Sequence, residues 1–110
     1  MRKVLVDKSR VAAEPLFQWD RGQVLDIYGL SLAAAPEVHF AHVGASNAQV
    51  LQSTMDELGV VHAAIPDAML EKATDILAWI VQESEHTSNT LCEILVPVLD
   101  RAKPDYEMEV

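Results

Sequence analysis

Two aromatic side chains and one histidine are the residues of this sequence whose type and position suit ligand binding. Trp19 and Tyr28 each lie beside polar or turn residues, in the segments QWDRG and DIYGL. An aromatic ring that remains exposed on a β-rich surface offers an apolar face on which a sugar ring can stack. His39 lies in the strand-like segment PEVHF and is the third candidate. The sequence therefore predicts Trp19, Tyr28 and His39 as binding residues.

No motif in the sequence indicates catalysis. The patterns GxSxG, GxxxxGK[ST] and GxGxxG are all absent, and the serines have no nearby residue that is spaced to act as a base. The chain has 17 acidic residues, so many carboxylate pairs are possible and no particular pair is informative. We predict that the protein is not an enzyme and has no catalytic residue.

Metal and cofactor binding are also not predicted. His39 and His42 are three positions apart at the end of a predicted strand, where such residues point to opposite faces of a sheet. Cys92 is the only cysteine, which excludes an internal disulfide and a thiolate-rich metal site. Because Cys92 lies in the apolar run LCEILVPVL, we expect it to be a small buried hydrophobic residue.

Length and charge restrict the class of protein. A chain of 110 residues that is half apolar forms one domain with a single core. The net charge of −9 argues against nucleic acid and anionic membranes as partners, since both require clustered Lys and Arg. The N-terminal segment MRKVLVDKS lacks the apolar region of a signal peptide. The chain is thus predicted to be made in the cytoplasm and not exported.

The elements that must position the candidate residues are strands. Residues 21–40 are interpreted as two strands joined by a bend at Pro36, in a hairpin-like arrangement around one core. Leu25 and Ile27 share one face of the first strand, and Val38 and Phe40 share one face of the second. Two large aromatic residues are predicted to lie in the core, namely Phe40 and Trp79.

Two segments are compatible with more than one structure. Residues 48–65 suit either an amphipathic helix that ends at Gly59 or a hairpin of two strands with a turn at 56–59. The segment after Pro66 begins like a helix, but its part LAWIV is also typical of a strand buried on both faces. Residues 90–99 are more clearly a strand, with Pro97 at an edge or bulge. The predicted domain covers residues 1–102, followed by a tail at 103–110.

Four segments occur in an order that resembles a known family. They are QWDRGQVLDIYGLSLAAAPEVHFAH, GVVHAAIPDAML, LAWIV and EILVPVLDRAKPDYE. This series is similar to short virion-associated modules of bacteriophages and prophages of Gram-positive gut bacteria. Its motifs fall on residues 19–30, 36–40, 65–70, 77–81, 96–98 and 101–106. Met69, Leu95 and Ala102 depart from the usual residues of that pattern.

The resemblance implies an all-β fold, an immunoglobulin-like antiparallel β-sandwich. Residues 48–65 and 76–82 would then be strands, with at most one short helical turn near 67–72. The implied role is that of a non-enzymatic tail, baseplate or head-fibre component in the virion. Its partners would be other virion proteins and copies of itself, with a trimer as one form. An alternative is a carbohydrate-binding module that recognises bacterial cell-surface glycans through Trp19 and Tyr28.

Overall fold

The computed structural model describes residues 2–106, and this part of the chain is built mainly from β-strands. In chain order the strands are β1 (Arg2–Leu5), β2 (Arg10–Ala12), β3 (Leu16–Phe17), β4 (Val24–Tyr28), β5 (Glu37–His42), β6 (Gln49–Gln52), β7 (Thr54–Met55), β8 (Val61–Ala64), β9 (Ile76–Glu83), β10 (Ser88–Val96) and β11 (Val98–Leu99). A 3₁₀ helix at Asp67–Glu71 lies between β8 and β9. The mainly β structure, the strands in 48–65 and 76–82, and a short helical turn near 67–72 are confirmed for the described residues.

The strands form two larger sheets and one small one. The order is β1-β4-β8-β7 in the four-stranded sheet, β2-β10-β9-β5-β6 in the five-stranded sheet, and β11-β3 in the small sheet. A purely antiparallel fold is wrong, because β1 pairs with β4, β2 with β10 and β3 with β11 in parallel. Each of these pairs joins strands far apart in the chain, so no tight turn forces an antiparallel arrangement.

The two strands of residues 21–40 do not form a hairpin. β4 pairs with β1 and β8, whereas β5 pairs with β6 and β9 in the other large sheet. The predicted faces are nevertheless confirmed, since Leu25, Ile27, Val38 and Phe40 are all fully buried. The two strands therefore meet across the core rather than side by side.

The chain crosses from one large sheet to the other at Ser53. The predicted strand over 48–54 is divided here, because β6 pairs with β5 and β7 pairs with β8. Ser53 is 5% exposed, and its hydroxyl donates to the Pro36 carbonyl oxygen at 2.6 Å. A second interruption lies at Pro97, between β10 and β11, where the Pro97 carbonyl accepts from the Leu16 N–H at 2.9 Å. At each break, one continuous segment of the chain contributes strands to two different sheets.

One hydrophobic core joins the two large sheets. Its fully buried side chains include Phe40, Leu16, Leu25, Ile27, Leu70, Ile76, Ile80 and Ile94. Cys92 belongs to this core and is 2% exposed, as predicted, and burial raises the pKa of its thiol to about 11. The prediction for Trp79 is wrong, because its side chain is partly exposed and lies outside the core cluster. Within residues 2–106 no helix has the length and hydrophobicity needed to span a membrane.

Candidate functional site

The three residues predicted to bind a ligand lie in three different places. Trp19 follows β3 in a turn at one end of the molecule, Tyr28 ends β4 in the four-stranded sheet, and His39 lies on β5 in the five-stranded sheet. All three are partly exposed. They do not form a single site, so each is described with its own surroundings.

Trp19 is held in a tight turn after β3. The Asp20 N–H donates to the Phe17 carbonyl oxygen at 3.2 Å, and the Asp20 carboxylate accepts from the Phe17 N–H at 3.1 Å. Within this turn Trp19 has a φ of 73°, in the left-handed region that few residues other than glycine adopt. Its own N–H donates to the carbonyl oxygen of Leu70 in the 3₁₀ helix at 2.7 Å. The turn therefore fixes the direction of the indole ring.

The C-terminal segment packs against this turn. The Trp19 indole N–H donates to the Arg101 carbonyl oxygen at 3.1 Å, and the Arg101 Nε donates to the Gln18 carbonyl oxygen at 3.0 Å. The Lys103 ammonium lies 5.2 Å from the centre of the Trp19 ring, within the range of a cation–π interaction. Lys103, the first residue of the predicted tail, thus contacts the Trp19 ring.

A surface cleft of about 220 Å³ opens beside Trp19. Its walls combine two aromatic rings, one proline, three carboxylates and two cations. They are Trp19, Asp20, Arg21, Asp67, Glu71, Lys103, Pro104 and Tyr106. Tyr106 is 65% exposed, so its ring is available to a ligand. Aromatic surfaces with polar groups around them suit the apolar face and the hydroxyl groups of a sugar.

Tyr28 and His39 already have partners in the chain. The Lys3 ammonium lies 5.0 Å from the centre of the Tyr28 ring, in a second cation–π arrangement. His39 Nε2 lies 3.0 Å from a carboxylate oxygen of Glu37, its neighbour on the same face of β5. These contacts position the two side chains on the outer faces of their sheets.

A histidine that the sequence did not single out has the most developed polar surroundings. His62, on β8, places Nδ1 2.7 Å from an Asp26 carboxylate oxygen and Nε2 2.9 Å from an Asp56 carboxylate oxygen. Both ring nitrogens must carry a proton to donate in both contacts, which describes the imidazolium. Asp26 also lies in the sheet, on β4, whereas Asp56 begins the turn between β7 and β8. The histidine therefore ties that turn to the sheet.

The charges of this cluster stabilise one another. The hydrogen bonds to Asp26 and then Asp56 raise the pKa of His62 above its ordinary value of 6.5. The hydrogen bond with His62, followed by that from the Val60 N–H, lowers the pKa of Asp56 below 3.8. Because the two carboxylates contact different nitrogens of the ring, the cluster forms an ion-pair bridge when His62 is protonated. Among residues 2–106 no group of His, Cys, Asp and Glu side chains is arranged to hold a metal ion.

Little in the sequence could have revealed this cluster. The alternation in VVHAAI places His62 on the outer face of a strand, opposite to the buried Val61 and Ala63. What brings it to Asp26 is the antiparallel pairing of β8 with β4, in which the two residues are direct partners. That pairing joins strands separated in the chain by three other strands, β5, β6 and β7, and no local pattern specifies it.

The outer face of the five-stranded sheet is apolar at its centre. Residues that are partners across neighbouring strands point to the same side of a sheet, which allows this face to be followed from strand to strand. One row contains Arg10, Glu93, Trp79, His39 and Val50, and the next contains Ala12, Leu95, Leu77 and Ala41. The Trp79 indole N–H donates to the Glu93 carboxylate at 3.1 Å. Trp79, Leu77 and Leu95 remain partly exposed.

Comparison with known proteins adds no family assignment to this geometry. No protein-family model matches the chain, and no curated protein is significantly similar to it in sequence.

Proposed function

We propose that this chain is a non-enzymatic structural module of a bacteriophage particle. In this role it is a tail, baseplate or head-fibre component that binds other virion proteins or further copies of itself. The proposed fold is an immunoglobulin-like β-sandwich. Support for that fold comes from the single core between two large sheets and from the chain's crossing between them at Ser53.

The observation that carries this proposal is the apolar centre of the outer face of the five-stranded sheet. An outward-facing side of a sheet in an isolated domain is normally polar. Here Trp79, Leu77 and Leu95 occupy its middle and remain partly exposed. A surface with this composition is typical of one that packs against another protein. The resemblance to virion modules supports other virion proteins as the partners in this proposal.

The test is the protein composition of purified particles. Particles from the host that encodes the chain are examined by mass spectrometry and by immunogold labelling with antibodies to the chain. We expect the chain at a constant ratio to the major virion proteins and at one position on the particle. Particles without the chain, together with a purified chain that binds none of their proteins, would refute the proposal.

A matched pair of variants tests the surface. Trp79→Lys places a charge in the apolar centre, whereas Leu58→Lys places the same charge at a turn residue that is 90% exposed. If the five-stranded sheet carries the contact, Trp79→Lys is missing from particles and Leu58→Lys is incorporated normally. Equal incorporation of both variants would show that this face is not used.

The second candidate function is binding of bacterial cell-surface glycans, and the cleft beside Trp19 favours it. The aromatic rings of Trp19 and Tyr106 and the nearby carboxylates of Asp67 and Glu71 provide both stacking and hydrogen bonding. An array of cell-wall polysaccharide fragments is the test, with Trp19→Ala and Asp67→Asn as variants. Binding that both variants weaken supports this function, while weak signals that neither variant changes would remove it.

A further inference from the structure

We propose that β6 is a docking edge at which a second copy of this chain adds its own β6, joining two five-stranded sheets into one continuous antiparallel sheet. The proposal deepens the assembly function above and rests on it, because it names a contact surface and the partner. β6 is the outermost strand of the five-stranded sheet, and within residues 2–106 its one strand partner is β5. Its other side therefore presents backbone N–H and carbonyl groups that a further strand can bind.

Charge and length together distinguish β6 from the other outer strands of the two large sheets. β1 carries Arg2 and Lys3, β2 carries Arg10, and β7 is two residues long and runs directly into Asp56. Charged residues and short length are the usual means by which proteins prevent pairing at an edge. In contrast, residues 38–55 contain no Asp, Glu, Lys or Arg. β6 thus lacks the protection that the other three edges have.

The same absence of charge favours a second copy as the partner. Two chains with a net charge of −9 repel each other, so they can approach most easily where both surfaces are uncharged. When β6 meets β6 of another copy, an uncharged segment faces an uncharged segment. Self-pairing of β1 would instead bring the cations Arg2 and Lys3 of one copy close to those of the other.

Sheet geometry restricts how the two strands can align. Directly opposite residues share a face, and Leu51 points to the core side while Val50 points outward. A two-fold axis must therefore pass through a pair of identical residues. An axis at Leu51 would need Ser53 to pair with the second copy, but the chain leaves the sheet at Ser53. Placing it at Val50 uses only residues 48–52 and sets Val50 opposite Val50 of the second copy.

Val50 is suited to this contact. It is 52% exposed, and its partner on β5 is His39, which is itself next to Trp79. The row of residues that contains Trp79, His39 and Val50 would then continue, across the paired β6 strands, into the same row of the second copy. The contact is short, so we expect a weak dimer that forms at high protein concentration.

Sedimentation of the purified chain over a range of concentrations measures this dimer. We expect the mass to rise from 12.1 kDa towards twice that value. Val50→Lys would place like charges opposite each other and weaken dimerisation by about tenfold or more. The control Leu58→Lys adds the same charge at an exposed residue of the turn between β7 and β8, outside the proposed contact, and leaves dimerisation unchanged. Val50→Thr, which preserves strand propensity, keeps the variant folded and the dimer largely intact.

A disulfide tests the alignment. In V50C two thiols would face each other across the two-fold axis, so mild oxidation should link the copies covalently. The native Cys92 is buried and has a pKa of about 11, so it does not compete, and L58C serves as the unlinked control.

The outcomes separate this inference from the proposed function. A strictly monomeric chain, a dimer that Val50→Lys does not affect, or a dimer in which V50C fails to crosslink would each overturn pairing at β6. None of these results changes whether the chain is found in virions. Virion incorporation that is sensitive to Val50→Lys while the pure chain stays monomeric would also overturn it, since the partner at β6 would be another protein.

Discussion

The outer faces of the two large sheets differ in the side chains at their centres and in the contacts that those side chains make. On the four-stranded sheet the middle row contains Lys3, Asp26, His62 and Thr54, and its charges pair within the chain. On the five-stranded sheet the equivalent position is taken by Trp79, with Leu77 and Leu95 in the next row. Apolar residues that are exposed or partly exposed on the first face, such as Leu5, Val24 and Ala64, lie on either side of this charged row. The two faces enclose the same core but present opposite chemistry.

This difference shows that burial in the core and exposure to a partner are separate properties of one fold. On the outer face of the four-stranded sheet the central charged residues contact one another, so this face needs no partner protein to cover it. The apolar face leaves partly exposed side chains that only another surface can cover.

The largest effect is expected from Phe40→Ala, which empties the core that both faces share. Phe40 is fully buried, so its loss should lower the free energy of unfolding by about 3–5 kcal/mol. Denaturant unfolding followed by tryptophan fluorescence measures this. Both sheets should unfold in one transition, because each packs on the other. The control Val43→Ala, at a residue that is 50% exposed, should change stability by less than about 0.5 kcal/mol.

An intermediate effect is expected from Gly29→Ala, which disturbs only the polar face. Gly29 has a φ of 92°, and an added Cβ would lie 2.6 Å from the carbonyl oxygen of Val6, next to β1. We expect a loss of about 1–3 kcal/mol from backbone strain and from this clash. Gly44→Ala is the matched control, since its φ is 89° but nothing lies within 4 Å of the new Cβ. Equal losses in both variants would show that the contact with β1 is unimportant.

The smallest effect is expected at His62 and depends on pH. The raised pKa of His62 means that its contribution is present below about pH 6.5 and is lost as the pH rises through the folded-state pKa. The lowered pKa of Asp56 means that its contribution is present above about pH 3.8 and is lost as the pH falls. Thermal unfolding should therefore show a maximum in Tm between these values.

The variant His62→Gln should flatten that maximum, because an amide cannot bridge two carboxylates as a cation. His86→Gln, at an exposed residue of the β9–β10 turn, is the control and should leave the pH profile unchanged. A profile that is the same in wild type and His62→Gln would show that the ion-pair bridge does not stabilise the polar face. A change in the profile of His86→Gln alone would place the effect elsewhere.

Much of the fold could be predicted from local pattern. Alternation in VLDIY and EVHF correctly assigned the buried sides of β4 and β5, and the apolar run around Cys92 correctly indicated burial. Sequence pattern could not show that β4 and β5 lie in different sheets, because alternation is the same whichever strand is the neighbour. For the same reason Trp79 was assigned to the core. A run that is apolar on both faces does not show which face meets the other sheet.

Less of the candidate sites could be predicted from the sequence. Trp19 was noted as an aromatic residue beside turn residues, and it is partly exposed. Its contacts with Arg101 and Lys103 could not be predicted, because they depend on a C-terminal segment more than 80 positions away. The cluster of Asp26, Asp56 and His62 was not found, because it requires the register between β4 and β8.

By itself, the sequence determined which residues are apolar, where strands alternate, and that residues 38–55 are uncharged. These are local properties, set by side-chain type and by the period of an extended chain. Only the tertiary structure decided which strands are neighbours, which of two apolar faces is covered, and which carboxylates reach His62. Those outcomes depend on closing long loops around one core, and many pairings share the same local pattern. The free energy of the assembled core selects among them.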